Sequence, residues 1–130
     1  MVNQTNKHSV LIVDDDPSYR SILQTIFSDG SYTVSIAIDG RDALQQLQVD
    51  PVDLLITDLQ MPNVDGVSLV QEVKRHYPAT VVIAMSAYTD EERYRTFLSN
   101  QPCPYLPKPF RRAEVLEMAS ALLQQSRASN

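Results

Sequence analysis

The sequence predicts an α/β fold in which helices cover both faces of a central parallel sheet. Five short apolar runs alternate along the chain with stretches whose apolar residues recur at helical spacing. Most of these runs are continuously apolar and rich in valine and isoleucine, as expected for strands that are buried on both faces. Regular alternation of strands and helices implies parallel strands joined by right-handed crossovers. We therefore predict a doubly wound, five-stranded (βα)5 domain.

The predicted strands are separated by residues that favour turns. Asp29-Gly30 and Asp39-Gly40 are turn signals, and a proline stands before the third and the fourth strand. The strands are predicted at residues 10–13, 32–36, 54–57, 81–85 and 105–106.

Helical spacing of apolar residues fills the segments between the strands. The first helix is predicted from Tyr19, Ile22, Leu23, Ile26 and Phe27. Shorter stripes predict the second and third helices, and a stripe from Val115 to Leu123 predicts the last one. A fourth helix is predicted at residues 90–99, where few apolar residues define a face. Asp16 and Pro17 suit the start of the first helix as cap and first-turn residue.

Composition limits what the chain can be. Its 130 residues suit one domain, which we expect to span residues 1–130 with a core at about 9–125 and no output domain. The net charge of −5 argues against direct binding to nucleic acid. The single cysteine cannot form an internal disulfide, and no stretch approaches the roughly 20 apolar residues of a membrane helix. We expect a cytoplasmic protein without a membrane partner.

Polar residues follow four of the predicted strands at the point where each strand ends. Asp14 and Asp15 follow the first strand, Asp58 the third, Ser86 the fourth and Lys108 the fifth. Ligands of open parallel sheets bind in the crevice beyond the carboxyl ends of the strands. Carboxylate oxygens are preferred ligands of Mg²⁺, and a hydroxyl and an ammonium suit phosphoryl oxygens. The pattern predicts a Mg²⁺ and phosphoryl site.

Each residue of this set also has a plainer interpretation. The acidic run is compatible with a solvated loop and a helix cap, and we assign Asp16 to the cap. Asp58 alone is compatible with a loop acid, a metal ligand, a nucleophile that forms an aspartyl-phosphate, or both of the latter. Their common location at the strand ends favours the functional interpretation.

Four stretches, taken together, resemble the receiver domain of bacterial two-component response regulators. They are VLIVDDDP at 10–17, TDLQMPNVDG at 57–66, IAMSAY at 83–88 and YLPKPF at 105–110. They occur in the family's order, and the resemblance extends from about residue 9 to residue 125. The chemotaxis regulator of this family is flavodoxin-like with strand order 2-1-3-4-5, and the resemblance implies that order here.

The resemblance implies a role for each acid of the site. Asp58 would accept a phosphoryl group from the phosphohistidine of a histidine kinase or phosphotransfer protein. Asp15, Asp58 and the backbone carbonyl of Gln60 would bind Mg²⁺, and Asp14 would act mainly through water.

The resemblance also implies a switch. Ser86 and Lys108 would bind phosphoryl oxygens, and Tyr105 would reorient with Ser86 when Asp58 is phosphorylated. The bond before Pro109 would be cis. The face of the fourth helix, fifth strand and fifth helix would then change and control a downstream effector. Such a domain is not an enzyme beyond its own phosphorylation and dephosphorylation, and the sequence leaves open whether it forms a homodimer on phosphorylation.

Two other functions are compatible with parts of the pattern. A receiver-like scaffold could bind partners without being phosphorylated. A phosphatase of the haloacid dehalogenase type would use Asp14 as nucleophile in an Asp-x-Asp motif, but it would leave the Asp58 segment unexplained.

Overall fold

The computed structural model describes residues 7–61, 65–90, 92–100 and 103–128. Within these ranges five strands alternate with five α-helices, and a short 3₁₀ turn at Tyr88–Asp90 follows the fourth strand. The elements are β1 (His8–Val13), α1 (Pro17–Phe27), β2 (Tyr32–Ala37), α2 (Gly40–Val49), β3 (Leu54–Asp58), α3 (Gly66–His76), β4 (Val81–Ala87), α4 (Arg95–Asn100), β5 (Tyr105–Lys108) and α5 (Arg112–Ala128).

All five strands form one parallel sheet with the order β2-β1-β3-β4-β5. Val13 pairs with Thr57, and Asp58 pairs with Met85. The chain crosses to β2 on one side of β1 and then to β3 on the other side. The carboxyl ends of β1 and β3 therefore flank the position where ligands bind in such sheets. The predicted class and strand order are confirmed.

Two apolar cores lie on opposite faces of the sheet, because successive side chains of each strand point to opposite faces. Leu11 and Leu55 pack with α2, α3 and the residues around α4. Ile12 and Ile56 pack with α1 and α5. The central strands are buried on both faces, which explains why their sequences are continuously apolar.

Aspartates cap the first three helices. Asp16 accepts a hydrogen bond from the backbone N–H of Ser18 at 2.9 Å, and Pro17 occupies the first helical position. Asp39 and Asp65 cap α2 and α3 in the same way. The predicted cap at Asp16 is confirmed. Within the described ranges, no helix has the length and apolarity needed to cross a membrane.

Three predictions about the elements need correction. β1 begins two residues earlier than predicted, and the other four strands end one or two residues later, so that Asp58, Ser86 and Lys108 belong to β3, β4 and β5. Ile22 is 48% exposed and does not belong to the buried stripe of α1. The predicted helix at 90–99 is wrong in its start, because α4 begins only at Arg95 and has no buried residue.

Candidate functional site

An open cleft of about 910 Å³ lies at the carboxyl ends of the strands. Its walls come from the loop after β1, the end of β3, the segment after β4 and the end of β5. The residues that line it include Asp15, Tyr19, Asp58, Gln60, Arg93 and Lys108. This is the edge of the sheet where the strand ends were predicted to place the site.

Three carboxylates meet beside the cleft. Asp14 is fully buried, Asp58 is 8% exposed, and Asp15 is exposed. Each contributes a carboxylate oxygen to a group whose members lie within 4.8 Å of one another. Asp14 and Asp15 differ in exposure because they are consecutive residues at a strand end and point to opposite sides. An all-oxygen donor set with one solvent-facing member fits Mg²⁺, which keeps several of its waters.

Lys108 joins two of these carboxylates. Its Nζ donates to Oδ2 of Asp14 at 2.8 Å and to Oδ2 of Asp58 at 3.0 Å. The lysine side chain is only 10% exposed. Both contacts are charge-assisted hydrogen bonds between groups that are largely shielded from solvent. The ammonium therefore compensates carboxylate charge that would otherwise be buried without a partner.

Backbone and side-chain donors fix the remaining oxygens. Oδ1 of Asp14 accepts from the N–H of Asp16 at 2.9 Å, and Oδ1 of Asp58 accepts from the N–H of Gln60 at 3.0 Å. Nη1 of Arg20 donates to the carbonyl oxygen of Asp14 at 2.7 Å. In the described part of the chain, every buried side-chain nitrogen or oxygen has a hydrogen-bond partner.

Burial and charge act in opposite directions on the two deepest groups. Burial raises the pKa of the Asp14 carboxyl, and its hydrogen bonds with Lys108 and with the Asp16 backbone only partly offset this. Burial lowers the pKa of Lys108, but the hydrogen bond with Asp14 and the charge of Asp58 outweigh it, so the net shift is upward. Lys108 is therefore held as an ammonium, whereas burial makes ionisation of the Asp14 carboxyl less favourable.

Ser86 and Tyr105 form a second polar pair behind the cleft. The Ser86 hydroxyl lies 2.7 Å from the hydroxyl of Tyr105, and Ser86 is 1% exposed. Ser86 directly follows Met85, which pairs with Asp58 across β3 and β4. Neither Ser86 nor Tyr105 is among the residues that line the cleft.

The structure thus brings together most of the residues singled out in the sequence. Asp14, Asp15, Asp58 and Lys108 form one cluster, and Gln60 lies at its rim. The peptide bond between Lys108 and Pro109 is cis, and Pro109 lines the cleft.

Three residues of the site were not predicted from the sequence to belong to it. Tyr19 was assigned only to an apolar stripe, but its ring lies in the cleft wall beneath Lys108. Arg20 holds the backbone of Asp14. Gly66 lies against β3, where a Cβ would overlap the carbonyl oxygen of Asp58 and the Cα of Leu59. Of the three, only Gly66 lay in a stretch singled out in the sequence, as the last residue of the segment 57–66 that resembles the receiver family.

Comparison with known proteins agrees with this geometry. Residues 10–120 match the response regulator receiver domain family. The transcriptional regulatory protein ZraR of Salmonella typhimurium is 34% identical over 125 residues, which cover 94% of this chain and 28% of that protein. The DNA-binding transcriptional regulator NtrC of Escherichia coli is 33% identical over 101 residues, which cover 78% of this chain and 22% of that protein. The chain spans about a quarter of the length of these curated relatives.

Solved structures have the same fold. Chemotaxis protein CheY4 of Vibrio cholerae is 29% identical and has a TM-score of 0.79, with 89% of this chain and 98% of that chain covered. The receiver domain of an HD domain-containing protein from Pseudomonas fluorescens is 27% identical, with a TM-score of 0.87 and coverage of 95% and 99%.

The match also decides between the families considered for the sequence. Asp14, the nucleophile that a haloacid dehalogenase would require, is fully buried, whereas Asp58 lines the cleft. The family match extends over both the segment of Asp14 and the segment of Asp58. The chain belongs to the response regulator receiver domain family.

Proposed function

We propose that this domain is a phosphorylation-activated switch in which Asp58 is the phosphoryl acceptor. The observation that carries the proposal is the position of Asp58, which ends β3 in the wall of the open cleft with one oxygen bonded to Lys108. Asp14 is fully buried and Asp15 has no comparable contact with the ammonium among the described hydrogen bonds. Of these three carboxylates, Asp58 combines a place in the cleft wall with a direct hydrogen bond from the ammonium.

The donor is the phosphohistidine of a histidine kinase or a phosphotransfer protein. A carboxylate oxygen of Asp58 attacks phosphorus, a P–O bond forms and the P–N bond to the donor histidine breaks. The electron pair of that bond stays on the histidine nitrogen, which takes up a proton. Because charge on the transferring group is spread over its outer oxygens, positive groups at the cleft stabilise the transition state.

The acidic cluster would hold Mg²⁺ for this reaction. Asp15 and Asp58 would be direct ligands with the carbonyl of Gln60, and Asp14 would act mainly through water. The ion would supply positive charge to the phosphoryl oxygens. Lys108 is already beside Asp58 and would exchange an Asp58 oxygen for a phosphoryl oxygen, which needs only a small movement of a flexible side chain.

Phosphorylation would then reach the surface through Ser86 and Tyr105. The Ser86 hydroxyl is drawn to a phosphoryl oxygen and leaves its present position, where it lies 2.7 Å from the Tyr105 hydroxyl. The ring of Tyr105 adjusts to that movement, and the face of α4, β5 and α5 changes with it. A local change of charge thereby biases the conformation of a larger element.

The partners follow from this cycle. A histidine kinase or phosphotransfer protein docks at the cleft, and a downstream effector reads the face of α4, β5 and α5. The domain acts on no other substrate, and its chemistry is limited to its own phosphorylation and dephosphorylation at Asp58.

Beryllofluoride, which mimics a phosphoryl group on a carboxylate, tests this proposal. We expect Mg²⁺-dependent binding to the wild type, followed by NMR shift changes at Asp58 and across α4, β5 and α5. Asp58→Asn should retain its fold by circular dichroism and show neither change, because an amide cannot form the adduct. Asp50→Asn removes an exposed acid outside the cleft and should respond like the wild type. A folded wild type without any response would favour the unphosphorylated scaffold.

A further inference from the structure

The ring of Tyr19 contacts Lys108, the lysine at the centre of the site. The family match gives no reason for this contact. Nζ of Lys108 lies 4.0 Å from the centroid of the Tyr19 ring. Tyr19 is in the first turn of α1 and lines the cleft, and its ring meets Phe110 at 5.8 Å between centroids and 55° between planes. Helix α1 and the segment after β5 thus hold the ring from two sides.

The ring completes the surroundings of the ammonium. Lys108 has three N–H donors, and two of them point to Oδ2 of Asp14 and Oδ2 of Asp58. The π-face of Tyr19 carries negative charge density and attracts the cation from a third direction. A second ring–cation contact, Arg93 over Tyr94, is longer at 5.7 Å and lies at an exposed arginine.

A ring contact differs from the carboxylate contacts in one respect. The phosphoryl group arrives on Asp58, so the bond between Lys108 and Oδ2 of Asp58 must be exchanged during the reaction. The contact with Tyr19 does not involve Asp58 and can persist before and after that exchange. It therefore limits where the ammonium can go when it leaves the carboxylate.

We propose that Tyr19 is a positioning residue for phosphoryl transfer, whose π-face keeps the Lys108 ammonium at the place where phosphoryl oxygens arrive. This inference rests on the proposed function of Asp58. It assigns the effect to the ring face and not to the hydroxyl, because the recorded contact is between Nζ and the ring centroid.

Three single variants separate the ring face from bulk and packing. Tyr19→Leu keeps an apolar side chain but removes the π-face, and it should slow phosphorylation by acetyl phosphate roughly two- to thirtyfold at saturating Mg²⁺. Affinity for beryllofluoride should fall in parallel. Tyr19→Phe should restore most of the lost rate. Phe110→Leu removes the ring that packs on Tyr19 and should cost less than Tyr19→Leu.

A double-mutant cycle gives the readout that a packing role would not move. In a Lys108→Met background, Tyr19→Leu should have no further effect on the residual rate, since the cation is gone. Equal effects of Tyr19→Leu with and without Lys108, or loss of rate in Tyr19→Phe as large as in Tyr19→Leu, would overturn the inference. A wild type that takes up no phosphoryl group overturns the proposed function and this inference with it, whereas a phosphorylated wild type with an unaffected Tyr19→Leu overturns the inference alone.

Discussion

At the scale of single residues, Lys108 balances the charge of the site. Its ammonium hydrogen-bonds Asp14 and Asp58, and both carboxylates are largely withdrawn from water. In such surroundings, removal of one partner costs more than the pair contributes, because the remaining charge stays buried without compensation. Loss of the cation that would assist phosphoryl transfer should therefore also destabilise the folded state.

Lys108→Met tests this double role. The variant keeps an unbranched side chain, one heavy atom shorter than lysine, but leaves Asp14 and Asp58 without their shared cation. We expect a loss of about 3 kcal/mol in the free energy of unfolding without Mg²⁺, at the lower end for a broken buried pair because Asp58 is partly accessible to water. Added Mg²⁺ should recover part of it. Urea unfolding with and without Mg²⁺ measures both, with Lys7→Met, at an exposed lysine before β1, as control.

The raised pKa of Asp14 gives a pH dependence with a definite sign. The folded protein holds this proton more tightly than the unfolded chain does, so Asp14 contributes stability that is complete below its unfolded pKa and is lost as the pH rises through its folded pKa. Asp14→Asn cannot titrate. Without Mg²⁺, the wild type should therefore become more stable relative to Asp14→Asn as the pH falls from neutral to about 4. Urea unfolding of both proteins across this pH range measures the difference. If the wild type lost stability relative to Asp14→Asn as the pH fell, the pKa of Asp14 would not be raised in the folded protein.

The sequence predicted that the polar residues at the strand ends belong to the site, but it did not predict the residues that contact and position them. Asp58 and Lys108 could be located because an acid and a base interrupt apolar strands, which is visible in a linear pattern. Tyr19 could not, because an aromatic residue at helical spacing fits a buried stripe as well as a cleft wall. Its contact with Lys108 depends on the angle between α1 and β5, which no local pattern specifies.

At the level of secondary-structure elements, the junction between β3 and α3 positions Asp58, the proposed phosphoryl acceptor. The N–H of Gly66 donates to the carbonyl oxygen of Leu59 at 3.1 Å, so the start of α3 lies directly on the end of β3. A side chain at Gly66 would occupy the space of the Asp58 carbonyl oxygen. This glycine is required for a close approach of two backbones and not for an unusual φ angle.

Gly66→Ala should therefore affect stability and the site together. We expect a loss of about 1–3 kcal/mol in the free energy of unfolding, since the backbone must shift to admit the methyl group. Beryllofluoride should bind more weakly because the shift moves Asp58. Gly30→Ala is the matched control: its φ of 101° makes alanine strained, but no atom lies within 4 Å of its Cβ. That variant should lose stability and keep its beryllofluoride affinity, and equal binding losses in both variants would contradict the explanation.

The fourth helix is the element whose predicted start was wrong. Residues 90–99 offer few apolar positions. A 3₁₀ turn at Tyr88–Asp90 leads into them, and the six-residue helix α4 has no buried side chain. Tyr94, the best-buried aromatic of the segment, precedes the helix and packs into the core from outside it. Apolar residues in such a segment report contact with the core but not helical structure, so spacing alone placed the helix start too early.

At the scale of the whole molecule, the alternation of strands and helices was sufficient to predict the class. Strands buried on both faces are recognisable because Val10–Val13 and Leu54–Asp58 serve two cores at once. The order of the strands was not contained in that pattern and came from resemblance to a family. The site lies where the connections between strands reverse direction. The topology that builds the two cores therefore also places three aspartates and a lysine close together at one edge of the sheet.

We propose that this edge of the sheet accepts one phosphoryl group on Asp58. Peptide mass spectrometry after incubation with acetyl phosphate, with and without Mg²⁺, tests it most directly. We expect a labile gain of one phosphoryl group, dependent on Mg²⁺ and located on the peptide that contains Asp58. If the folded protein gains no phosphoryl group, or gains it at another residue, Asp58 is not the phosphoryl acceptor.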